Sequence, residues 1–407
     1  MNPRERFIAN LKFGQPDRIY YSFGSPRRST LEAWKLQGLP EMPVADDYGC
    51  PDEFYEFVGS DPNVWEMKPE QSFPVKMDIY PKFDIEIIKE DESGLTWKDE
   101  KGIVMHDAGR KLGTPGFRTR SYLSHPVTGF GDWPEMQKRF DPHLLGRFPD
   151  DWNQVALSFR GHEYPLLITI FGPFSLCRDW VGFENLCMLF YDNPKLIDEM
   201  MGHITWFYLE LLDKALAEIE VDCVLISEDM AYKHAAMISP EMMRHYILTR
   251  YRRLVQLFRK HEVPLVMVDS DGHIGQMIPI WIEAGMDGTF PCEIAAHNYP
   301  FTYRRQHGKD LALWGCIDKR EIRSKESTYR EVMGKVPQLV EQGGFLPSID
   351  HAVPPDVPLR SYLYMAELIK AIAEKKKIPQ PEDPLPIEER LGPIERFWGP
   401  DLLEREE

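Results

Sequence analysis

Short apolar runs recur along the second half of the chain, and they alternate with amphipathic stretches. The runs cover residues 166–170, 223–226, 265–268, 288–290, 311–314 and 345–348, and residues 18–23 form a similar run near the start. Short apolar runs bounded by turn residues are typical of strands that are buried on both faces. The pattern therefore predicts close to eight parallel strands.

Helices are predicted between these strands. Asn193-Pro194 and Ser239-Pro240 each join an N-cap residue to a proline at the first helical position. The second of these helices carries Tyr251 on its apolar face, and further helices are predicted over 276–283, 325–341 and 360–375. Strands joined by helical crossovers form a parallel sheet. We therefore predict an α/β fold in which residues 1–378 form a single (β/α)8 TIM barrel.

Residues 70–125 break this rhythm. Apolar and polar residues alternate at period two over residues 77–80, 84–88, 95–97, 103–105 and 118–122. This alternation predicts a small antiparallel β insertion within the barrel domain. Residues 379–407 contain six prolines and are predicted to form an extended C-terminal arm.

The charge and composition of the chain limit the classes of ligand that it can bind. The chain has 65 acidic and 48 basic residues, a formal charge of −17, which argues against nucleic acid and against anionic lipid as ligands. There is no apolar run of membrane-spanning length and no signal-peptide pattern, and the six cysteines form no CxxC pair. We expect a cytoplasmic protein with a small-molecule ligand, with monomer or homodimer left open.

Ionisable residues follow five successive predicted strands. Because the carboxyl ends of the strands build the active site of a parallel barrel, these residues are candidate site groups. Acids that cluster on one rim cost energy unless a metal, a cationic ligand or a shared proton offsets their repulsion. The groups are Glu228-Asp229 with Tyr232-Lys233, Asp269-Ser270-Asp271-Gly272-His273, Glu293, Asp318 and Asp350-His351.

One of these acidic segments and one aromatic segment each have more than one interpretation. Asp269 and Asp271 alternate at a strand end, so both can face the barrel mouth and hold a divalent cation. Alternatively, Asp271-Gly272 is a turn and Asp269 caps the following helix. The aromatic residues Phe171, Phe174 and Trp180 follow the strand at 166–170 and either line an apolar substrate pocket or belong to the core.

Several segments resemble the uroporphyrinogen decarboxylase-like superfamily in order and spacing. They are Pro3–Arg6 with Pro16–Ile19, Phe171–Phe174 with Gly182–Glu184, Ser227–Lys233, Ile238–Glu241, Asp269–Gly272, and Gly343-Gly344 leading to Asp350-His351. The resemblance implies a (β/α)8 barrel. True decarboxylases of this superfamily carry an Arg-Gln-Ala-Gly-Arg-Tyr segment that holds substrate carboxylates, whereas this chain has Phe23-Gly-Ser-Pro-Arg-Arg28 there.

The resemblance is closer to the corrinoid-dependent methyltransferases. Their zinc-ligand positions fall on Asp269, Asp271 and Asp350, so the resemblance implies Zn²⁺ or another divalent cation in a site of harder ligands. It also implies methyl transfer from a small methoxy or methylamine compound to a corrinoid carried by a separate protein. Glu228, Asp229, His273, Glu293 and His351 are the expected catalytic groups, and Glu228, His273 or His351 is expected to protonate the leaving group. Phe171, Phe174, Trp180, Tyr232, Lys233 and Asp318 are expected to contact the substrate.

Three alternatives stay open. Decarboxylation of a porphyrinogen is one, although the acidic chain suits a polyanion poorly. A barrel glycoside hydrolase is the second, with Glu228 and Glu293 as its carboxylate pair. The third is a small-molecule binding protein without catalysis.

Overall fold

The structure is a computed structural model that describes residues 1–43, 50–62, 64, 69–109, 120–384 and 391. The chain divides into two compact units. The first unit comprises Met1–Lys68, Glu163–Pro165 and Asp287–Glu407, and the second comprises Pro69–His162 and Leu166–Met286.

The elements follow in chain order. The first unit begins with helices α1 (Pro3–Leu11), α2 (Arg28–Lys35) and α3 (Asp52–Val58). The second unit contains β1 (Glu86–Asp91), β2 (Gly94–Lys98), β3 (Val104–Ala108), β4 (Arg120–Ser124), α4 (Trp133–Arg139), α5 (Trp152–Ser158), β5 (Leu167–Phe171), α6 (Pro173–Val181), α7 (Phe183–Asp192), α8 (Pro194–Leu216), β6 (Cys223–Ser227), α9 (Pro240–Met243), α10 (Thr249–Lys260), β7 (Leu265–Asp269) and α11 (Ile278–Ala284).

The remainder of the first unit completes the alternation of strands and helices. It contains β8 (Gly288–Phe290), α12 (Pro300–His307), β9 (Ala312–Ile317), α13 (Lys325–Gln342), β10 (Phe345–Ile349) and α14 (Leu359–Ala373). Short 3-10 turns lie at Pro69–Gln71, Ile294–Ala296, Gly308–Asp310 and Lys319–Glu321, and a π-helical turn, Arg244–Leu248, connects α9 to α10.

In the second unit, β5, β6 and β7 pair in parallel in the order β7-β6-β5, and in the first unit β8, β9 and β10 pair in parallel in the order β10-β9-β8. Within the second unit, Leu167 of β5 lies opposite Cys223 of β6, which lies opposite Leu265 of β7, so these strands end level with one another. In the first unit, β9 pairs in parallel with both β8 and β10. The predicted α/β class with a parallel sheet is therefore confirmed.

The apolar pattern that predicted these strands corresponds to burial. Every side chain of β9 and β10 is buried, and β6 and β7 are buried except for their last residues. The predicted cap at Ser239 is also present, since its side chain accepts a bond from the Met242 backbone N. Asn193 precedes α8 as predicted, but its side chain makes no capping bond.

The strand predicted at residues 18–23 is not formed. Side chains occupy the backbone groups that a sheet would use, because Tyr20 N donates to Asn10 Oδ1 at 2.7 Å and Tyr21 N donates to Asp61 Oδ2 at 2.7 Å. A single backbone bond links this segment to β10, from Ile349 N to the Phe23 carbonyl at 3.4 Å. The segment is therefore held by polar side chains and not by a strand ladder.

The predicted β insertion is present as an antiparallel sheet in the order β1-β2-β3-β4. Its first predicted strand, at residues 77–80, is wrong. The guanidinium of Arg147, a fully buried side chain, donates to the carbonyls of Lys76 and Asp78 at 2.8 and 2.6 Å, so these groups are not available for strand pairing. Residues 118 and 119 of the last predicted strand lie outside the described residues, and β4 begins at Arg120.

The C-terminal arm is described only in part. The Pro379 carbonyl accepts a bond from Tyr364 Oη at 2.8 Å, and the Asp383 carbonyl accepts one from Lys325 Nζ at 3.1 Å. Residues 385–390 and 392–407 lie outside the described residues, so the extended arm stays a prediction there, as does the boundary at residue 379. None of the described helices has both the length and the apolar character that a bilayer span needs.

Candidate active site

The predicted acids lie at the carboxyl ends of strands in both units. Their positions follow from the strand bounds, since each acid either ends a parallel strand or follows it by a few residues. In the second unit, Glu228 and Asp229 follow β6, and Asp269 and Asp271 lie at and beyond the end of β7. In the first unit, Glu293, Asp318 and Asp350 follow β8, β9 and β10. Their contacts separate groups that build the scaffold from groups that can meet a ligand.

Glu228 is fully buried and holds the start of α6. Its Oε1 accepts bonds from Phe174 N at 3.1 Å and from Tyr251 Oη at 2.8 Å, and its Oε2 accepts one from Ser175 N at 3.0 Å. Burial raises the pKa of this carboxyl, and the hydrogen bonds oppose that rise. Because the side chain has no exposed surface, its contacts assign Glu228 to positioning α6, and its role as an acid acting on substrate stays a prediction.

Gly172 makes room for this carboxylate. A Cβ atom at residue 172 would lie 2.1 Å from Glu228 Oε2 and 2.6 Å from Oε1. The backbone of Gly172 has a φ of −71°, which any residue adopts, so only the lack of space demands glycine. The Gly172-Pro173 pair therefore forms a cradle for a buried acid, a role that the sequence pattern did not indicate.

The three aromatic residues of the predicted pocket wall differ in their surroundings. Trp180 is buried, and its ring packs against Trp133 and Phe140 with centroid distances of 5.1 Å to each. Phe174 is also fully buried, so both side chains belong to the core, the alternative that the sequence left open. Phe171 is only half-buried, and Lys101 Nζ lies 4.7 Å from its ring centroid. Phe171 alone of the three stays a candidate for substrate contact.

The Asp269–Gly272 segment turns tightly beside β6. Gly272 has a φ of +78°, and a Cβ there would lie 2.5 Å from the Ala231 carbonyl oxygen, so the turn at Asp271-Gly272 is confirmed. Asp269 does not cap the next helix, because Met277 occupies the N-cap of α11. Asp229 Oδ1 accepts a bond from Asp271 N at 3.1 Å, which ties the two strand ends together.

The groups beyond these turns are more exposed. Tyr232 is 52% exposed, and its ring lies edge-on to Phe183 at a centroid distance of 5.6 Å. Lys233 is exposed, and His273 is half-buried with its backbone N donating to the Tyr232 carbonyl at 2.7 Å. These three side chains lie on the surface side of the strand ends, where a ligand can reach them.

In the first unit, Asp350 plays a part similar to that of Glu228. It is fully buried, and its carboxylate accepts bonds from Ile294 N at 2.8 Å and from Lys319 N at 3.1 Å. Burial raises the pKa of Asp350, while the Lys319 charge acts to lower it. Lys319 Nζ lies 2.9 Å from Glu293 Oε1 and 3.8 Å from Asp350 Oδ1. Asp350 therefore joins the loops that follow β8 and β9.

Asp318 is bound by its own loop. Its carboxylate accepts bonds from the backbone N of Arg320 at 2.9 Å and from the Arg320 guanidinium at 2.9 and 2.7 Å. Burial acts to raise the pKa of Asp318, but these interactions with Arg320 outweigh it and lower the pKa. Asp318 is 5% exposed and caps the 3-10 turn at Lys319–Glu321, and its contact with substrate stays a prediction.

His351 is half-buried and has a defined orientation. Its Nδ1 accepts a bond from the Ala352 backbone N at 2.7 Å, so Nδ1 carries no proton. The neutral ring must then carry its proton on Nε2, which makes Nε2 a hydrogen-bond donor. This tautomer presents a hydrogen-bond donor at Nε2 and does not suit coordination of a metal through Nε2.

Comparison with known proteins places the chain in a family. The model of the family described as uroporphyrinogen decarboxylase (URO-D) matches residues 108–372, more than half of the chain. The chain belongs to the URO-D family. This membership confirms the family predicted from the sequence. Among curated proteins, none matches the sequence significantly.

A solved structure supports the same fold. A methyltransferase from Methanosarcina mazei shares the fold with a TM-score of 0.54, over 92% of this chain and 99% of that chain. Sequence identity between the two is 14%, so the likeness concerns the fold. The predicted TIM-barrel class is thus confirmed for this URO-D family member.

The three predicted metal ligands differ in how well their surroundings suit the binding of a cation. Both oxygens of Asp350 accept backbone N–H groups, and an ammonium group lies 3.8 Å from Oδ1, so Asp350 does not fit a metal ligand. Asp269 and Asp271 are half-buried carboxylates two residues apart, a ligand type that suits a hard cation such as Mg²⁺ better than Zn²⁺. Among the predicted ligands, these two remain candidates.

Sequence reasoning missed two polar partners in this URO-D family site. Tyr251 was recognised only as part of an apolar helix face, although a buried tyrosine hydroxyl needs a hydrogen-bond partner. Lys319 lies next to the predicted Asp318, but a single sequence does not show that its ammonium group sits between Glu293 and Asp350. The available signal for Tyr251 was a polar group on a predicted apolar helix face.

Replacing Gly172 with alanine is expected to destabilise the protein. The new methyl group overlaps the Glu228 carboxylate, which three hydrogen bonds hold in place, so the cost should be about 1–3 kcal/mol or more. Gly334→Ala is the matched control, because a Cβ there meets nothing within 4 Å and lies in α13. Urea unfolding should show a lower midpoint for Gly172→Ala only, and equal midpoints would contradict the cradle.

The Glu228→Gln variant should lose stability in a pH-dependent way. An amide cannot accept bonds at both of its polar atoms, so one backbone N–H loses its acceptor, at about 1–3 kcal/mol. Burial raises the folded pKa of Glu228 above its ordinary 4.5. The acid therefore contributes most to the free energy of unfolding of the wild type at low pH. That contribution is lost as the pH rises through the raised pKa.

The free energy of unfolding of Glu228→Gln should therefore lie furthest below that of the wild type at low pH, and this difference should become smaller from about pH 4.5 upward. Urea unfolding of both proteins over a pH series measures it. A deficit that grows with pH would mean that the fold favours the charged carboxylate.

Proposed function

We propose that the protein is a methyltransferase that moves a methyl group from a small methoxy or methylamine compound to a corrinoid held by a separate protein. Membership of the URO-D family and the fold shared with a methyltransferase support an enzyme of this kind. The proposal includes the strand ends as the place where the methyl donor binds.

One observation carries the choice of substrate class: three of the described cations beside the strand-end acids, Lys319, Arg320 and Arg178, are already engaged by this chain. Lys319 lies between Glu293 and Asp350, and Arg320 is bound to Asp318. Arg178 donates to the Asp229 carbonyl at 2.6 Å. Half-buried carboxylates beside paired cations favour a neutral or cationic ligand over a polycarboxylate. A methoxy compound or a methylammonium ion meets this requirement.

The chain's own residues would bind the donor and stabilise the leaving group. Asp229 and Asp271 are half-buried carboxylates that can attract an ammonium group or accept a bond from a hydroxyl. His351 presents an Nε2–H group, which can donate a hydrogen bond to the oxygen atom that keeps the bonding pair when the methyl group departs, and water then supplies the proton. The corrinoid supplies the nucleophile that takes the methyl group.

The rival functions fit less well. A glycoside hydrolase would need Glu228 as one of its two carboxylates, but Glu228 is buried and engaged by three hydrogen bonds. Porphyrinogen decarboxylation is the second candidate, favoured by the description of the family. It would require cationic groups for the substrate carboxylates, and Arg28 already contacts Glu32 at 3.2 Å.

An anaerobic assay tests methyl transfer. The purified protein is mixed with chemically reduced free cobalamin as the acceptor and with methoxylated aromatic compounds or methylamines as donors. We expect the absorbance of the Co(I) form to decline as the demethylated product appears in the mass spectrum. Release of CO₂ from a porphyrinogen without methyl transfer from any donor would favour the decarboxylase instead.

A variant at His351 tests the hydrogen-bond donor. His351→Phe should slow transfer from methoxy donors by about 10²–10³-fold, because the leaving oxygen loses the donor that stabilises its developing charge. Transfer from a quaternary ammonium donor should change little, since its amine leaves without needing a proton. His245→Phe, at an exposed histidine in the π-helical turn, is the matched control. Equal losses with both donor types would assign His351 to binding or folding.

A divalent cation at Asp269 and Asp271 is part of the proposal. Elemental analysis of the wild type should find a stoichiometric divalent metal that Asp350→Asn retains and Asp271→Asn loses. Asp318→Asn is a second control, because Arg320 already binds that carboxylate. A wild-type protein that holds no divalent metal after incubation with Mg²⁺, Mn²⁺ or Zn²⁺ would remove the cation from the proposal.

A further inference from the structure

Two buried cysteines face each other where β8 and β9 end. Gly288 of β8 lies opposite Ala312 of β9, and Thr289 lies opposite Leu313. The same offset continued past the end of β8 places Cys292 opposite Cys316. A bond of 3.2 Å from Cys316 N to the Pro291 carbonyl shows that the two chains stay paired at this point.

The backbone brings these chains unusually close. A Cβ at Gly315 would lie 1.9 Å from the Pro291 carbonyl oxygen, so only glycine permits the approach next to Cys316. Both cysteines have left-handed backbones, with φ values of 59° at Cys292 and 68° at Cys316. Residues with side chains rarely adopt this conformation, and it persists where the surrounding structure imposes it.

Both side chains of the pair are shielded from water. Neither cysteine has exposed surface. Burial raises the pKa of Cys316, and the neighbouring Cys292 thiol adds to that rise. Neighbouring strands lie about 4.8 Å apart, within the Cα separation of about 4.4–6.8 Å that a disulfide needs.

We propose that Cys292 and Cys316 are a disulfide-forming site that joins the loops after β8 and β9. These loops carry Glu293 and Asp318, the residues one and two positions beyond the cysteines. A bond between the sulfurs fixes the spacing of the two loops and hence of the Lys319–Glu293 ion pair that bridges them. The proposal does not depend on the proposed function.

The reaction is a two-electron oxidation. Each thiol gives up its hydrogen, the two S–H bonds break, and one S–S bond forms. A diazene reagent such as diamide takes up the two electrons and two protons and becomes a hydrazine. Because the thiols are buried, the reaction depends on brief opening of the loops.

Thiol mapping of the full-length protein tests the site. The native protein is treated with diamide, with and without urea below its unfolding midpoint, then denatured, alkylated and digested without reduction. We expect the loss of two of the six thiols and one linked peptide pair that contains Cys292 and Cys316. A phosphine reductant should restore both thiols, and the oxidised form should unfold at a higher temperature than the reduced form.

Variants give the matched controls. Cys292→Ser and Cys316→Ser should keep all their remaining thiols under the same treatment. Cys177→Ser, at an equally buried cysteine in α6, should still lose two thiols. If a variant fails to fold, the thiol map of the wild-type protein alone tests the proposal. Retention of all six thiols in urea, or linkage among other cysteines, would overturn the proposal.

Discussion

The buried carboxylate of Glu228 is the interaction on which the second unit's strand ends depend. A charged or protonated acid in the interior is stable only when its oxygens are satisfied, and here two backbone amides at the start of α6 and the Tyr251 hydroxyl do so. The acid follows β6, while α6 follows β5. One side chain therefore joins the exits of two neighbouring strands, and Gly172 is required because the carboxylate occupies the place of a Cβ.

The first unit uses the same device with different residues. Asp350 follows β10 and accepts N–H groups from Ile294 and Lys319, in the loops after β8 and β9. Elsewhere, Asp222 accepts a bond from Leu166 N at 2.9 Å, at the start of β5. Part of the chain's large acidic excess is thus structural, since buried carboxylates hold backbone groups that strand pairing leaves open.

The sequence predicted the parallel strands well and two other segments poorly, for a physical reason. Strands buried on both faces appear as apolar runs, so β6, β7 and β10 are visible in the pattern alone. At residues 18–23 and 77–80, an apolar or alternating pattern also occurs, but Asn10, Asp61 and Arg147 bind the backbone groups there. Those partners lie 10, 40 and 71 residues away along the chain, outside the segments themselves, and a local pattern does not reveal them.

The same limit separates the positions of the site residues from their roles. The strand-end rule located Glu228, Asp318 and Asp350, but each proved to be buried and bound by its own scaffold. A polar group at a strand end has two ways to be stable: bonding to the chain or contact with solvent and ligand. Burial distinguishes the two: Asp229, Asp271 and His351 are only half-buried, as are His273 and Glu293, so their side chains keep surface that a ligand could contact. The buried acids serve this arrangement indirectly, because they fix the loops from which the half-buried groups project.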